Sequence, residues 1–478
     1  MSEINTLYLG AFVVYMLVIL GVGLLGYQRV TNTDDFWIFG RELGPWLATM
    51  SYVAHFVSAV SIIGFVGAVF GQGYSTLTGI ILGLMLGISG FYFVVPKIRE
   101  FGSVTLSDIV VELTGYDVAR PLTGTVLLAN AWVFLIIQLT GASVLVATLT
   151  GVPYTYMVLI IGAVFTAYAA LGGLVSVSYT DFVQGLLMVG LVAVAFVYLV
   201  ADLGGITSIN QQFTALDPTY TAPFGAAGFA ALGFLGALIT FFGSIFTSQS
   251  EIIRTNAIRD DRTARFHVAA GGVIVSVFYV VLMIVGAATV VALHNAGVSV
   301  SNPDEAFPLL LTEYLPTSLG IVISVAILSG ILSTTDTRLH ACGVTCSNDI
   351  FSYFADDPDD AQLLRVSRLA TVAFGIAAAA IAIDPPGTII VMYEWRAILL
   401  TSALLVPVYA AMYLVDIPGK AIVSAIAIGF VLGTTWEFLG GPLGLPAALL
   451  ATTVAFVVLL AGRALWGSRL ESRESKPV

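Results

Sequence analysis

Apolar residues run along this chain in unbroken stretches, and the polar residues gather in the short segments between them. A stretch of about 17–25 such residues is what an α-helix needs to cross roughly 30 Å of hydrocarbon. Thirteen qualify, near 5–27, 44–70, 75–95, 122–149, 154–171, 182–201, 227–248, 268–294, 317–346, 367–384, 387–414, 420–437 and 446–465. The pattern predicts an all-α integral membrane protein with about 13 transmembrane helices. No long polar insert separates the stretches, so residues 1–478 read as one membrane domain whose chemistry lies between helices. The segment MSEINT before the first stretch has no basic residue, and no small-residue cleavage site is evident after it, so that stretch is expected to be a retained helix rather than a leader.

Two stretches are not uniformly oily. The second, WLATMSYVAHFVSAVSIIGFVG, has Ser51, Ala54, Ser58, Ser61 and Gly64 through its middle, and the seventh has ITFFGSIFTSQS, with a break expected around Gly243 and Ser244. Small polar residues let a membrane helix loosen, because hydroxyls and neighbouring helices satisfy the freed backbone groups. Two interrupted helices five spans apart match the inverted repeat of many secondary transporters, whose sites lie at the midplane beside such breaks.

Composition agrees with this pattern: 58% of the 478 residues are hydrophobic and 10% charged, with a mean hydropathy of +0.99. Soluble domains carry about 25% charge. Lys and Arg then set the orientation, because short cytoplasmic loops hold their excess. Sixteen of the eighteen fall on one loop parity: Arg29, Arg41, Lys97, Arg99, Arg120, Arg254, Arg259, Arg262, Arg265, Arg365, Arg368, Lys420, Arg463, Arg469, Arg473 and Lys476. The long loops around 203–226 and 295–316, of the other parity, have none. A plasma-membrane protein with its N-terminus outside and its C-terminus cytoplasmic is expected. The net charge of −11 comes with inner acidic clusters such as ADDPDDA at 355–361, for which a high-salt cytoplasm is one explanation. Cys342 and Cys346, at i,i+4 spacing in the ninth stretch, read as packing residues before they read as a reactive pair. Gly21-Val-Gly-Leu-Leu-Gly26 has the GxGxxG form but no preceding strand, so helix packing is its ordinary reading.

The polar residues of the ninth stretch, GILSTTDTRLHACGVTCSND, call for an account. Gly330, Ser333 and Thr334 share one helical face by spacing. Two hydroxyls and an accessible carbonyl make a neutral hard-oxygen surface that suits Na+ rather than a divalent ion. The alternative is that Ser and Thr bond back to carbonyls of the preceding turn. Ser333 lies roughly 21 Å from the inner end of its span, and Ala54 and Val57 roughly 15–20 Å from the start of theirs, so both sets fall near mid-membrane. Charged groups at depth are candidates because charge there is costly. Arg396 in MYEWRAIL either meets a solute carboxylate or pairs with another helix, and Glu394, two residues away, does not face it. His55 either touches solute or is a bonded core histidine. Asp336 and Arg338 are expected nearer the inner end as gate or interhelix partners. His267 and His340 have no second ligand at zinc-like spacing, and no Ser/His/Asp or HExxH set stands at workable spacing, so no enzyme is expected.

LSTTDTRLHACGVTCSNDI resembles the ST-x-D-S stretch of the sodium/solute symporter family, which includes proline, pantothenate, monocarboxylate and glucose carriers. DDFWIFGRELGP, ALGGLVSVSYTDFVQ and SQSEIIRTNAIRDDRTAR are similar, in order, to three further motifs of that family. The resemblance implies the LeuT-type 5+5 inverted repeat: an extra first helix (5–27), a first repeat (44–201), a second repeat (227–414), two C-terminal helices (420–465) and a cytoplasmic tail (466–478). It implies a sodium site of the Ala54, Val57 and Gly330 carbonyls with the Ser333 and Thr334 hydroxyls, Gly330 standing where the family usually has alanine. It also implies Asp181 as a relay for sodium release; a helix-capping or first-turn role there is also good physics. The implied activity is Na+-coupled symport of a small organic solute (a carboxylate, amino acid or similar) by alternating access. Na+ is the coupling ion, with no organic cofactor and no nucleic acid, and the solute docks at the broken helices near His55, Ser58, Phe241, Ser244 and Arg396. The alternative is a Na+-sensing or channel-like protein of the same fold. Should Arg396 face the cavity, the solute is expected to be an anion such as a short monocarboxylate.

Overall fold

A computed structural model describes residues 4–27, 45–102, 105–222, 231–414 and 416–467. Among these residues the regular structure is helical, without a strand. The helices are α1 (Thr6–Tyr27), α2 (Pro45–Phe56), α3 (Phe65–Gln72), α4 (Ser75–Glu100), α5 (Leu106–Thr114), α6 (Ala119–Thr150), α7 (Tyr154–Asp202), α8 (Ile206–Leu216) and α9 (Ala231–Phe246). They continue as α10 (Gln249–Ala257), α11 (Asp261–Asn295), α12 (Ala306–Glu313), α13 (Thr317–Val344), α14 (Asp360–Ala382), α15 (Ile389–Leu400), α16 (Val406–Tyr413), α17 (Gly419–Phe438) and α18 (Ala447–Trp466). Ten helices among the described residues are long and apolar enough to cross a bilayer, eleven if the bent second stretch counts as one, and Thr6–Val18 and Tyr154–Ala167 are shorter apolar helices. The fifth and sixth apolar stretches lie along the one backbone helix α7. Side chains at 168 and 171–184 within it are outside the described residues, so of Asp181 only the backbone position is described.

The second stretch is broken, as its small polar residues predict. α2 ends at Phe56, the chain bends at Val57 and Ser58, and it resumes as a π-helical turn, Val60–Gly64, before α3, with a change of direction of 44°. The backbone groups freed by the bend are bonded nearby. Ser61 Oγ accepts from the Ser58 N–H at 2.9 Å and donates to the Ser58 carbonyl at 3.1 Å. Ser58 Oγ accepts from the Val60 N–H at 3.3 Å. From other helices, Gln138 Oε1 accepts from the Ala59 N–H at 3.3 Å and the Tyr279 hydroxyl donates to the Phe56 carbonyl at 3.3 Å. A break at membrane depth is tolerated only with such partners.

The seventh stretch also breaks, but at Thr247 and Ser248, between α9 and α10, not around Gly243 and Ser244. Gly243 stays helical because it is a contact point: a Cβ there would lie 2.5 Å from Thr401 Cγ2. Ser244 Oγ donates to the Phe241 carbonyl of its own helix at 2.9 Å, the local bond a mid-helix serine usually makes. The stretches around 203–226 and 295–316, expected as loops, contain α8 and α12.

The bundle brings the two broken stretches together with α6, α7, α11, α13 and α15. α2 packs on α7 and α11, α9 on α4 and α15, and α13 on α6 and α7. On the side of the 295–316 segment, Asp304 Oδ2 accepts from the Ile389 N–H at 3.0 Å, which ties that segment to the first turn of α15.

Candidate functional site

Between the breaks lies a cavity lined by His55, Phe56, Ser58, Val60, Phe134, Ser244, Ile245, Ser248, Glu251, Tyr279, Arg338, Tyr393 and Arg396. Its centre admits a water-sized sphere over about 20 Å3, the room that one ordered water needs. His55, Ser58, Ser244 and Arg396, four of the five residues nominated for solute, line it. Phe241 does not: it is fully buried behind Tyr393, on which it stacks at 5.3 Å between ring centroids.

Arg396 is buried, and its Nη1 donates to Asn130 Oδ1 of α6 at 3.3 Å. Its Cζ lies 4.9 Å from the ring centroid of Phe134 and 4.6 Å from that of Tyr393. Of the two alternatives for Arg396, the partner on another helix is present, and the side chain also lines the cavity. That partner is neutral, so the contact leaves the charge of the guanidinium uncompensated.

Arg338 is an interhelix partner, one of the two roles expected of it, and it also enters the cavity. Expected nearer the inner end of its span, it lines the cavity, 3% exposed, with its Cζ 4.3 Å from the same Phe134 ring. Side chains on a helix lean toward its N-terminus, and an arginine stem is long. Its guanidinium therefore lies away from its own Cα, against Phe134 of α6 and His55 of α2. Arg338 Nη2 stands 3.0 Å from His55 Nε2, and Ser250 Oγ 3.1 Å and Glu251 Oε1 3.6 Å from that same nitrogen. A guanidinium only donates, so His55 accepts there. Glu251, 1% exposed, is the carboxylate of the group, and neither of its oxygens makes a hydrogen bond. Phe134, Tyr279, Tyr393 and Glu251 went unnominated. The three rings give no signal in an oily helix, whereas Glu251 carried one, an acid within SQSEIIRTNAIRDDRTAR just after a break.

The positions nominated for sodium sit where α2, α7 and α13 meet. Ala54 and Val57 bracket the end of α2, where the Val57 N–H donates to the Ala54 carbonyl at 3.2 Å. Thr334 Oγ1 donates to the Gly330 carbonyl at 3.1 Å, the back-bond that was the plainer alternative for these hydroxyls. α13 touches α2, and both rest on α7. A Cβ at Gly185 would lie 2.8 Å from the Ala54 Cβ, and one at Gly330 only 1.6 Å from Met188 Sδ. Met188 thus occupies the space an alanine methyl would need at 330, which gives the departure from the usual residue a physical reason. His267 is a core histidine, its Nδ1 2.6 Å from the Ala264 carbonyl. Cys342 and Cys346 are free thiols. No group of three or more His, Cys, Asp or Glu side chains able to hold a metal ion occurs among the described residues.

Comparison with known proteins places the chain in a family. The high-affinity proline transporter PutP of Bacillus subtilis is 28% identical over 390 residues, which cover 78% of this chain and 80% of that protein. The sodium/pantothenate symporter of Haemophilus influenzae is 24% identical over 392 residues, 79% of each. Among solved structures, a Na+-coupled sialic acid symporter in a substrate-bound outward-open state superposes with a TM-score of 0.79 at 17% identity, covering 96% of this chain and 98% of that one. The fold is of the LeuT type. The profile of the Sodium:solute symporter family matches residues 36–463. The protein is therefore a multi-pass membrane carrier that couples solute movement to Na+, and the chain belongs to the sodium:solute symporter family.

Proposed function

We propose that the chain carries a small carboxylate-bearing solute, a short carboxylate or an amino acid, together with Na+ by alternating access. The observation that carries this reading is the cavity's pair of buried guanidiniums, Arg338 and Arg396, whose described partners are neutral acceptors and ring faces. With one carboxylate, Glu251, beside them, the cavity has an excess of positive charge, and a buried charge needs an opposite one. Arginine takes a carboxylate through two parallel bonds. Proline and pantothenate, the solutes in the relatives' names, both contain a carboxylate.

In this reading Arg396 holds the carboxylate, and His55, Ser58 and Ser244 line the rest of the solute. Na+ is held by the carbonyls of Ala54, Val57 and Gly330 and the hydroxyls of Ser333 and Thr334, and Asp181 relays it to the cytoplasm. The N-terminus is outside and the C-terminus inside. The first helix, the two repeats and the C-terminal pair follow the boundaries expected from sequence. Phe241 acts only through Tyr393.

The test is uptake into proteoliposomes of labelled acetate, lactate, L-proline, pantothenate and glucose under an inward Na+ gradient. A carboxylate is expected to accumulate and glucose not to. Arg396→Lys, which keeps the charge and loses the fork, is expected to weaken carboxylate binding by roughly tenfold or more with Na+ binding nearly kept. Ser333→Ala combined with Thr334→Ala is expected to abolish Na+ stimulation while the protein still inserts. Accumulation of glucose, or normal affinity in Arg396→Lys, overturns the anionic-solute reading.

A further inference from the structure

The two cavity arginines are not equivalent. Arg396 belongs to α15 and is bonded to Asn130 of α6. Arg338 belongs to α13 and is bonded to His55, in the last turn of α2, which is itself bonded to Ser250 in the first turn of α10. α2 and α10 are the half-helices on the basic-loop side of the two breaks. The Arg338 contact therefore holds both of them to α13, on the side where solute must leave in the proposed orientation. One ring, Phe134, lies 4.3 Å from the Arg338 guanidinium and 4.9 Å from that of Arg396, so an anion leaving Arg396 finds Arg338 next.

We propose that Arg338 is a second anion-docking residue on the solute path: the solute carboxylate passes from Arg396 to Arg338, displaces His55, and thereby parts α2 and α10 from α13. This rests on the anionic-solute reading above. The exchange is favourable in chemistry. An imidazole gives a guanidinium one neutral acceptor, and Arg338 Nε is buried without a hydrogen bond, whereas a carboxylate offers two charged acceptors and bonds of about twice the strength. It also meets the condition for coupling, that a ligand make different contacts in the two states it interconverts. With the Arg338–His55 bond intact the inner half-helices are held; with carboxylate on Arg338 they are free. Glu251, 3.6 Å from His55, repels an anion that stays, and so favours onward release over trapping.

Two measurements test this. The first needs no solute. Thr255 of α10 is fully buried, so Thr255→Cys in a Cys342→Ala, Cys346→Ala background reports the parting of α10 through labelling by an impermeant maleimide in inside-out vesicles. Arg338→Gln is expected to raise the labelling rate about tenfold or more, and Arg338→Lys, which keeps charge and bulk and guards against misfolding, to raise it less. The second compares binding and transport of whichever carboxylate of the uptake panel the parent takes. Arg338→Gln is expected to lose less equilibrium affinity than Arg396→Lys does but at least about tenfold in transport rate at saturating solute. Unchanged labelling in both Arg338 variants, or undiminished transport with normal binding, overturns the role of Arg338 alone. A loss of affinity in Arg338→Gln as large as in Arg396→Lys makes the two one site and also overturns it. A parent that binds none of the carboxylates overturns instead the anionic-solute reading.

Discussion

At the scale of single residues, the contact between Gly330 and Met188 is the most constrained. Met188 is 1% exposed and its sulfur occupies the place of a Cβ at 330, so Gly330→Ala must push a buried side chain into a filled region. Overpacking of this kind costs about 1–3 kcal/mol. Met188→Ala alone is expected to destabilise by leaving a void. The double variant should lose less than the two single losses together, because each change relieves the other; thermal unfolding of the four proteins in detergent gives the coupling directly, and strict additivity would exclude the contact. Such pairings are invisible in one sequence, which shows the glycine but not what lies against it. Arg396, His55, Ser58 and Ser244 were legible, because polar groups in oily or broken helices announce themselves. Arg338 was legible as an interhelix partner but its partner was not, since one sequence does not show that His55 faces it.

At the scale of elements, breaks were easier to foresee than to locate. In the second stretch the bend falls among Ser58 and Ser61, whose hydroxyls replace the lost backbone bonds, and the sequence shows those hydroxyls. In the seventh the helix continues past Gly243 and Ser244 because the glycine receives Thr401 of another span, a tertiary cause with no local sign. The short helices α8 and α12 were missed for a related reason, being too brief to register as apolar stretches. A further link between elements makes a pH prediction. Asp304, buried in the segment before α12, accepts the Ile389 N–H, and burial above all raises its pKa from 3.8 to about 6, although that hydrogen bond opposes the rise. A carboxyl whose folded pKa is raised binds its proton more tightly when folded. Its contribution to stability is therefore full below its unfolded value and is lost as pH rises through about 6. Asp304→Asn keeps an acceptor for Ile389 and cannot ionise. It is expected to flatten the fall in melting temperature between about pH 4 and pH 6.5 and to leave the variant at least as stable as the parent at the upper end. A variant that keeps the parent's slope would assign that slope to other groups.

At the scale of the whole molecule, exposed apolar side chains such as Phe93, Val273, Val277, Leu369, Ile376, Val431 and Val457 cover the outward faces of α4, α11, α14, α17 and α18. A soluble surface does not carry such an area, and a bilayer requires it. The proposed orientation can be read on whole cells with Cys342 and Cys346 replaced by alanine. Leu443, 89% exposed in the turn between α17 and α18, is expected outside, and Asp357, exposed between α13 and α14, inside. An impermeant thiol reagent should label Leu443→Cys in intact cells and reach Asp357→Cys only after the membrane is opened; the reverse pattern would invert the molecule. The same scale shows what two arginines about one phenylalanine ring do beyond recognition. Na+ and solute enter one bundle, and a carrier wastes its gradient if the ion slips through alone by the solute's route. Two fixed positive charges along that route, in surroundings of low dielectric, repel a lone cation while leaving the path open to an anion. On the proposed reading, the pair of guanidiniums would then select by sign, holding a lone sodium ion off the solute's route while admitting an anion.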